Sequence, residues 1–260
     1  MIHLITAGTI MPRSRIPLQK WIWSAYLMTT NKVGISALQL QKQLNIKRYE
    51  TAWILLHKLR SAFTAPNRRP LKGDVEVDES AIGGGQLGHV GRDFKGKTII
   101  VAAVERRDRT PNKNGSLLKN RRYIVGRIRL QVISDTTEKS LIPFIQKNVC
   151  QGAHVITDGW RSYNKVSDLN CYHTIYNIKQ SRKLAHELLP LCHIVFSNLN
   201  TWLLGTHHGR PQSKHMQSYL NEYVFRFNRR HNQMASFRQV LAIGGNQLSP
   251  TYKNFYSKRI

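Results

Sequence analysis

The chain is poor in acidic residues: 14 Asp and Glu stand against 40 Lys and Arg, giving a formal net charge of +26 over 260 residues. So large a positive excess disfavours a protein that works on cationic partners. It favours a polyanionic partner, because Lys and Arg displace the counterions condensed on phosphates. Nucleic acid is therefore the predicted partner.

Cysteine is also scarce. Cys150, Cys171 and Cys192 are widely spaced and contain no C-x-x-C pair. This spacing excludes a disulfide framework and a zinc-binding module of paired cysteines, so no zinc is expected.

Long apolar runs are missing, which argues against a membrane partner. The opening segment MIHLITAGTI has no basic leader, and His3, Thr6 and Gly8 interrupt its apolar residues, so it is a poor signal peptide. A cytoplasmic protein is expected. Its length allows one sizeable core and a small additional domain.

Against this background, the stretch VEVDESAIGGG from Val75 to Gly85 concentrates carboxylates. Strand alternation places Glu76 and Asp78 on one face and Glu79 on the other, with the valines. A carboxylate on a strand beside a glycine loop is typical of a divalent metal site that admits a phosphate substrate. A hairpin with an exposed acidic face is the alternative, and this segment alone does not decide between them.

The N-terminal part has a helical pattern. Pro17 to Thr30 is amphipathic, and the segments Ile35 to Leu44 and Lys47 to Ala62 are separated by a short break, as in a helix-turn-helix. A second helix lying in a major groove would contact DNA through basic side chains on its polar face, and His57 is expected on that face too. The predicted contacts are Lys47, Arg48, Lys58 and Arg60. A plain helical bundle with solvated lysines is the alternative. Ala65 to Lys72 is interpreted as a linker.

An α/β pattern follows the linker. Lys97 to Glu105 and Tyr123 to Ser134 have strand character, and the basic segment Arg106 to Arg122 between them is predicted to be an exposed loop. A helix from Thr137 to Val149 precedes a short strand, Ala153 to Thr157, which ends at Asp158. This order is that of the ribonuclease H-like α/β fold, and by fold analogy it brings Asp78 and Asp158 onto adjacent strands.

A third site residue is expected on the helix Leu188 to Leu204, where His193, Ser197 and Asn200 share the polar face. A lone helical histidine is more often a surface residue than a ligand. The nearest acidic alternative, Glu187, precedes Pro190.

Further contacts with nucleic acid are predicted from two other segments. Trp160, Arg161 and Tyr163 follow Asp158 and are candidates to stack on or clamp a base. Core packing at the strand end is the alternative for all three and is favoured for Trp160. The helix Ser213 to Arg230 presents basic residues at its end, and its predicted phosphate contacts are Arg226, Arg229 and Arg230.

Five motifs together resemble a known family: EVDESAIGG, ITDGWRSY, HELLPLCHIVFSNL, WLLGTHHG and KHMQSYLNEYVFRFNRR. They are similar to bacterial insertion-sequence transposases of the ISXO-type branch of the DDE superfamily, over about residues 6 to 232. The resemblance implies a ribonuclease H-like catalytic domain that cuts and joins DNA. It also implies two divalent ions, Mg²⁺ or Mn²⁺. Carried over, its catalytic and metal-binding positions are Asp78, Asp158 and His193.

The expected organisation is a helix-turn-helix domain over residues 1–66 and a catalytic domain over 67–260. Members of this branch usually begin with a zinc ribbon, which this sequence lacks. The implied partners are double-stranded DNA, as transposon ends and target, and further copies of the chain in a homodimer or larger oligomer near the nucleoid. The alternative function is DNA binding without catalysis, as a transposase remnant or a helix-turn-helix regulator.

Overall fold

The computed structural model describes residues 8–12, 14–64, 68–82, 97–109, 123–176, 185–207, 211–251 and 255, and only the backbone of 185 and 186. The chain divides into two compact units. A helical unit combines residues 1–67 with residues 201–260, and a sheet unit contains residues 68–200. None of the helices within the described ranges is long and apolar enough to cross a membrane.

Within the described residues, the helical unit takes three of its helices from the N-terminal segment and two from the C-terminal segment. Its helices are α1 (Leu18–Thr30), α2 (Ala37–Gln43), α3 (Tyr49–Ser61), α7 (Ser213–Asn228) and α8 (Gln233–Gly245). One apolar core joins them: Ala25 and Met28 of α1 pack in the same cluster as Leu55 of α3 and Val240 of α8. The first four helices were predicted from the sequence, and α8 was not.

The turn between α2 and α3 has the expected form. The Ser36 hydroxyl caps α2 by accepting a hydrogen bond from the Gln39 N–H. Asn45 adopts a left-handed conformation (φ 47°) just after α2, which reverses the chain before α3 begins. Helix, tight turn and helix therefore follow one another in the spacing that the sequence predicts.

The sheet unit is built on five strands: β1 (Asp74–Ile82), β2 (Thr98–Asp108), β3 (Tyr123–Ile133), β4 (His154–Asp158) and β5 (Tyr172–Tyr176). Their order across the sheet is β3-β2-β1-β4-β5. β1 is antiparallel to β2 and parallel to β4, so the first and fourth strands are neighbours. This mixed sheet with flanking helices confirms the predicted ribonuclease H-like pattern.

The faces of β1 alternate as the sequence indicates. Val75 and Val77 are buried in a cluster with Leu141 and Phe144 of helix α4 (Glu138–Asn148). Glu76 and Asp78 therefore face the other side of the sheet. A strand that is buried on both faces fixes the direction of every side chain on it.

The remaining elements connect the strands to a long helix. A 3₁₀ helix (Arg161–Leu169) follows β4, and neither it nor β5 was predicted. A short helix α5 (Ala185–Leu188) precedes α6 (Pro190–His207). The division between the two units falls within α6.

Two expectations differ from the structure. β2 continues through Arg106 to Asp108, so the start of the predicted loop is strand; the basic residues pair with β3. Residues 201–260 cluster with the N-terminal helices, whereas the sequence-based division placed them in the catalytic domain. The glycines after Ile82, most of the loop to Arg122 and part of the predicted linker lie outside the described residues.

Candidate active site

Asp78 and Asp158 lie on neighbouring parallel strands. The paired residues of β1 and β4 differ by 80 in number, as in Asp74 with His154 and Glu76 with Ile156. The same offset relates Asp78 to Asp158, two positions further along both strands. Both residues are buried, at 9% and 8% exposure. The strand register therefore directs both aspartates toward the same end of β4.

His193 lies in the first turn of α6 and approaches the same place. Its Nε2 atom is 3.6 Å from Asp78 Oδ2, and its side chain is 39% exposed. Of the three positions carried over from the family, the structure thus brings Asp78 and His193 within contact distance. Asp158 joins them through the strand register.

Backbone N–H groups orient the two aspartates. The Glu79 N–H donates to Asp78 Oδ1 at 2.9 Å, and the Trp160 N–H donates to Asp158 Oδ1 at 3.1 Å. Such bonds hold a carboxylate in one rotamer. The aspartates are held in place before any substrate arrives.

A buried tyrosine supports β1 from the opposite face. The Tyr163 hydroxyl donates to Glu79 Oε2 at 2.5 Å. Burial raises the pKa of Tyr163 well above its ordinary value, and the negative charges of Glu79, Asp78 and Asp158 raise it further. Tyr163 is therefore a neutral structural donor, and the predicted contact between its ring and a base is wrong because the side chain is fully buried.

Trp160 also packs inward. Its indole N–H donates to the Thr136 carbonyl at 3.0 Å, and its ring lies against the apolar cluster of the sheet unit. Trp160 is therefore a core residue, as the alternative considered for it predicted. Arg161 next to it is exposed.

Glu76 is the most buried carboxylate on the aspartate face of β1, with 0% exposure. Its Oε1 accepts from Arg106 Nε at 2.9 Å. Its Oε2 accepts from the backbone N–H groups of Leu191 and Cys192 in α6. Burial raises the pKa of Glu76, while Arg106 and the two N–H groups oppose that rise.

The donor set is suited in kind to a divalent ion. Carboxylate oxygens are the ligands that Mg²⁺ and Mn²⁺ prefer, and an imidazole is also accepted by Mn²⁺. Asp78 and Asp158 would supply the oxygens, and His193 would supply the nitrogen. Within the described ranges, no group of three or more His, Cys, Asp or Glu side chains is already gathered as a complete ligand set.

Several predicted DNA contacts are accessible. Lys47 and Arg48 are exposed just before α3, and Lys58 on the same helix is half-buried, which lowers its pKa. Arg230 is exposed, and its guanidinium lies 4.3 Å from the centre of the Phe227 ring.

Other predicted contacts have internal partners instead. Arg60 is 2% exposed, and its Nε lies 2.8 Å from Glu222 Oε2. Arg226 pairs with the same carboxylate at 3.6 Å and donates to the Asn31 and Lys32 carbonyls. Both are therefore structural, and the prediction that they contact phosphate is corrected. Arg229 is partly buried, and its Nε donates to Gln239.

His57 is a further correction. It was expected on the polar face of α3, yet it is 2% exposed and its ring lies 4.0 Å from that of Trp53 and 5.0 Å from that of His215. Burial lowers the pKa of His57 far below its ordinary value, and the charge of Arg60 adds to this effect. A neutral histidine in an aromatic cluster does not contact DNA.

The sequence reasoning missed the roles of Glu76 and Arg106. Glu76 was noted only for sharing a strand face with Asp78, and Arg106 was assigned to a loop. A signal existed for the first, since alternation places Glu76 on the same face as Asp78. The pairing of strand β1 with a helix 115 residues later has no local signal.

Comparison with known families gives a match over residues 70–228, to the ISXO2-like transposase domain. No match was found among curated proteins. The matched segment includes all five strands, Asp78, Asp158 and His193. It covers more than half of the chain, so the chain belongs to the ISXO2-like family of DDE transposase domains.

Proposed function

We propose that the protein is an active DDE transposase, which cleaves DNA strands at the ends of an insertion sequence and joins them to a target. The observation that carries the proposal is the contact between Asp78 and His193, whose Nε2 lies 3.6 Å from Asp78 Oδ2, with Asp158 on the adjacent parallel strand. Such a set at the end of buried strands is rigid enough to position a reacting phosphate.

In this proposal Asp78, Asp158 and His193 hold two divalent ions, Mg²⁺ or Mn²⁺. When bound, such ions activate an attacking water or 3′-hydroxyl and stabilise the leaving oxygen of a phosphodiester. The protein's own contribution is geometric. The Glu79 and Trp160 N–H groups keep the carboxylates turned toward the site, and the buried sheet prevents them from moving apart.

The DNA contacts of the proposal are the exposed basic residues. Lys47, Arg48 and Lys58 serve the helix-turn-helix, while Arg161 and Arg230 are candidates outside it. We keep residues 1–66 as the proposed DNA-binding region and propose a homodimer or larger oligomer on double-stranded DNA. A cytoplasmic, nucleoid-associated location follows from that partner.

The test is strand cleavage by the full chain on labelled duplexes carrying candidate element ends, with Mg²⁺ or Mn²⁺. Asp78→Ala should abolish cleavage, by about 10³-fold or more, because metal ligation is lost. DNA affinity should change little, because it depends on distributed phosphate contacts.

Asp74→Ala is the matched control, since Asp74 lies on the same strand but is 42% exposed and pairs with His154. Its cleavage should stay close to that of the unmodified chain. Undiminished cleavage by Asp78→Ala would remove Asp78 from the site. DNA binding without cleavage by the unmodified chain would support the non-catalytic alternative.

A further inference from the structure

Glu76 divides its two carboxylate oxygens between a strand and a helix. Oε1 receives the Arg106 guanidinium of β2 at 2.9 Å. Oε2 receives the Leu191 N–H at 2.9 Å and the Cys192 N–H at 3.1 Å, both from α6. A fully buried side chain thus connects β1 and β2 to the beginning of a helix that lies far away in sequence.

These two backbone groups need such a partner. The first N–H groups of a helix have no acceptor within the helix, and an unsatisfied one is costly when buried. Pro190 begins α6 and has no N–H to satisfy, so the next two donors are those of Leu191 and Cys192. A carboxylate also suits the positive end of the helix dipole. Glu76 therefore fixes the first turn of α6 against the sheet.

The same turn carries His193. His193 follows Cys192 directly, and Asp78 lies two positions after Glu76 on the same face of β1. The residues of α6 that donate to Glu76 therefore directly precede His193 in the sequence. His193 Nε2 in turn lies 3.6 Å from Asp78.

We propose that Glu76, held by Arg106, is a positioning residue that sets the separation between His193 and Asp78. The part of the proposal that concerns cleavage rests on the proposed transposase activity. Glu76 is not assigned to hold a metal, because Arg106 and the α6 N–H groups already occupy both of its oxygens.

The sheet unit offers a matched comparison in Glu105. This carboxylate is also buried, at 4% exposure, and is bonded to an arginine, Arg127, at 2.5 Å. Its backbone donors are Lys72 and Arg127, which lie in segments other than α6. Glu105 thus shares the burial and the ion pair of Glu76 but not its attachment to the helix that carries His193.

The experiment compares Glu76→Gln with Glu105→Gln in the full chain. Glutamine keeps an acceptor oxygen and the side-chain volume but loses the charge that binds Arg106. One readout is the carbon–proton NMR signal of the His193 ring in metal-free protein, identified by its loss in His193→Gln. The others are cleavage at saturating DNA, DNA affinity and the melting temperature.

In Glu76→Gln the His193 signal should shift, and cleavage at saturating DNA should fall roughly 10- to 100-fold, the usual effect of misplacing a reacting group by about 1 Å. DNA affinity should be unchanged. In Glu105→Gln the His193 signal should stay in place and cleavage should stay within about twofold, because a surrounding ion pair alone does not orient the site.

If Glu76→Gln does not fold, Arg106→Lys gives the second test, because it keeps the positive charge but changes the geometry at Oε1. An unshifted His193 signal in both variants, or an equal shift in Glu105→Gln, would overturn the proposal. If the unmodified chain does not cleave DNA but the Glu76→Gln signal shifts, the positioning role stands and the transposase proposal fails.

Discussion

The two units use their carboxylates differently. The helical unit has two of the 14 acidic residues, Glu50 and Glu222, and the sheet unit has the other 12. Glu222 is fully buried and paired with Arg60 and Arg226. Of the eleven in the sheet unit that the structure describes, five are buried: Glu76, Asp78, Glu79, Glu105 and Asp158.

The difference lies in how the buried charges are compensated. In the helical unit the Glu222 carboxylate pairs with both Arg60 and Arg226, so both arginines become part of the core. In the sheet unit each buried glutamate has a separate partner. Arg106 pairs with Glu76, Arg127 pairs with Glu105, and the Tyr163 hydroxyl donates to Glu79. Each aspartate instead accepts a hydrogen bond from a backbone N–H group, and Asp78 also lies beside His193. Charge counts alone do not distinguish a structural arginine from a DNA-binding one.

The largest effect on stability is expected when this compensation is broken in the helical unit. Arg60→Met should lower the free energy of unfolding by about 3 kcal/mol or more, because it leaves Glu222 buried with one of its two cations removed. Chemical denaturation followed by circular dichroism measures it.

Arg48→Met is the matched control, since Arg48 is exposed and should change stability by no more than about 0.5 kcal/mol. Equal effects of the two variants would contradict the assignment of Arg60 to the core.

A smaller effect is expected at the exposed cations. The double variant Lys47→Ala/Arg48→Ala should weaken DNA binding and reduce the slope of log affinity against log salt by about 1 to 2, because up to two phosphate contacts are lost. Stability should be unchanged. Binding isotherms at several salt concentrations measure the slope.

Lys139→Ala/Lys147→Ala removes the same charge from exposed positions on α4 and serves as the control. If it lowers the slope equally, the effect comes from net charge and not from the helix-turn-helix.

The smallest effect is expected from a surface carboxylate of the sheet unit. Hydrogen bonds from Thr137 and Ser140 lower the pKa of Asp135 to about 2. Because the folded pKa lies below the unfolded value, the stabilisation is complete above the unfolded pKa and is lost as the pH falls through 2. Asp135→Ala should therefore lower the melting temperature slightly at pH 7 and have little effect well below pH 2. An equal decrease at both pH values would show that Asp135 does not act through its charge.

Most of the fold follows from local patterns. The alternation in β1 and the continuous apolar run of β2 predict their burial, and the order of elements predicts that β1 and β4 are neighbours. The strand β5 was missed because it is half-exposed and its sequence YHTIY lacks a strong apolar face. Helix α8 was missed because its glycines and polar residues weaken the helical pattern.

The placement of the candidate site residues was predictable to the extent that strand register determines it. The adjacent strands of Asp78 and Asp158 follow from the fold pattern, and the side of the helix that carries His193 follows from its polar face, whereas their roles stay predictions. The contacts of Arg60 and Glu76 could not be predicted from local patterns, because each depends on a partner more than 100 residues away. An arginine on the apparent polar side of a helix carries no local sign that a carboxylate will bury it.

The helical unit is made of segments that precede and follow the sheet unit in the sequence. This order has a consequence for synthesis on the ribosome. Arg60 is made 162 residues before its partner Glu222. At roughly 5 to 20 residues per second, that interval lasts about 8 to 30 s. Throughout it the N-terminal helices lack α7, whereas residues 68–200 emerge as one continuous segment that is able to fold first. A nascent chain stopped before Glu222 would therefore contain a sheet unit beside helices with an uncompensated Arg60, a species that chaperones and proteases recognise.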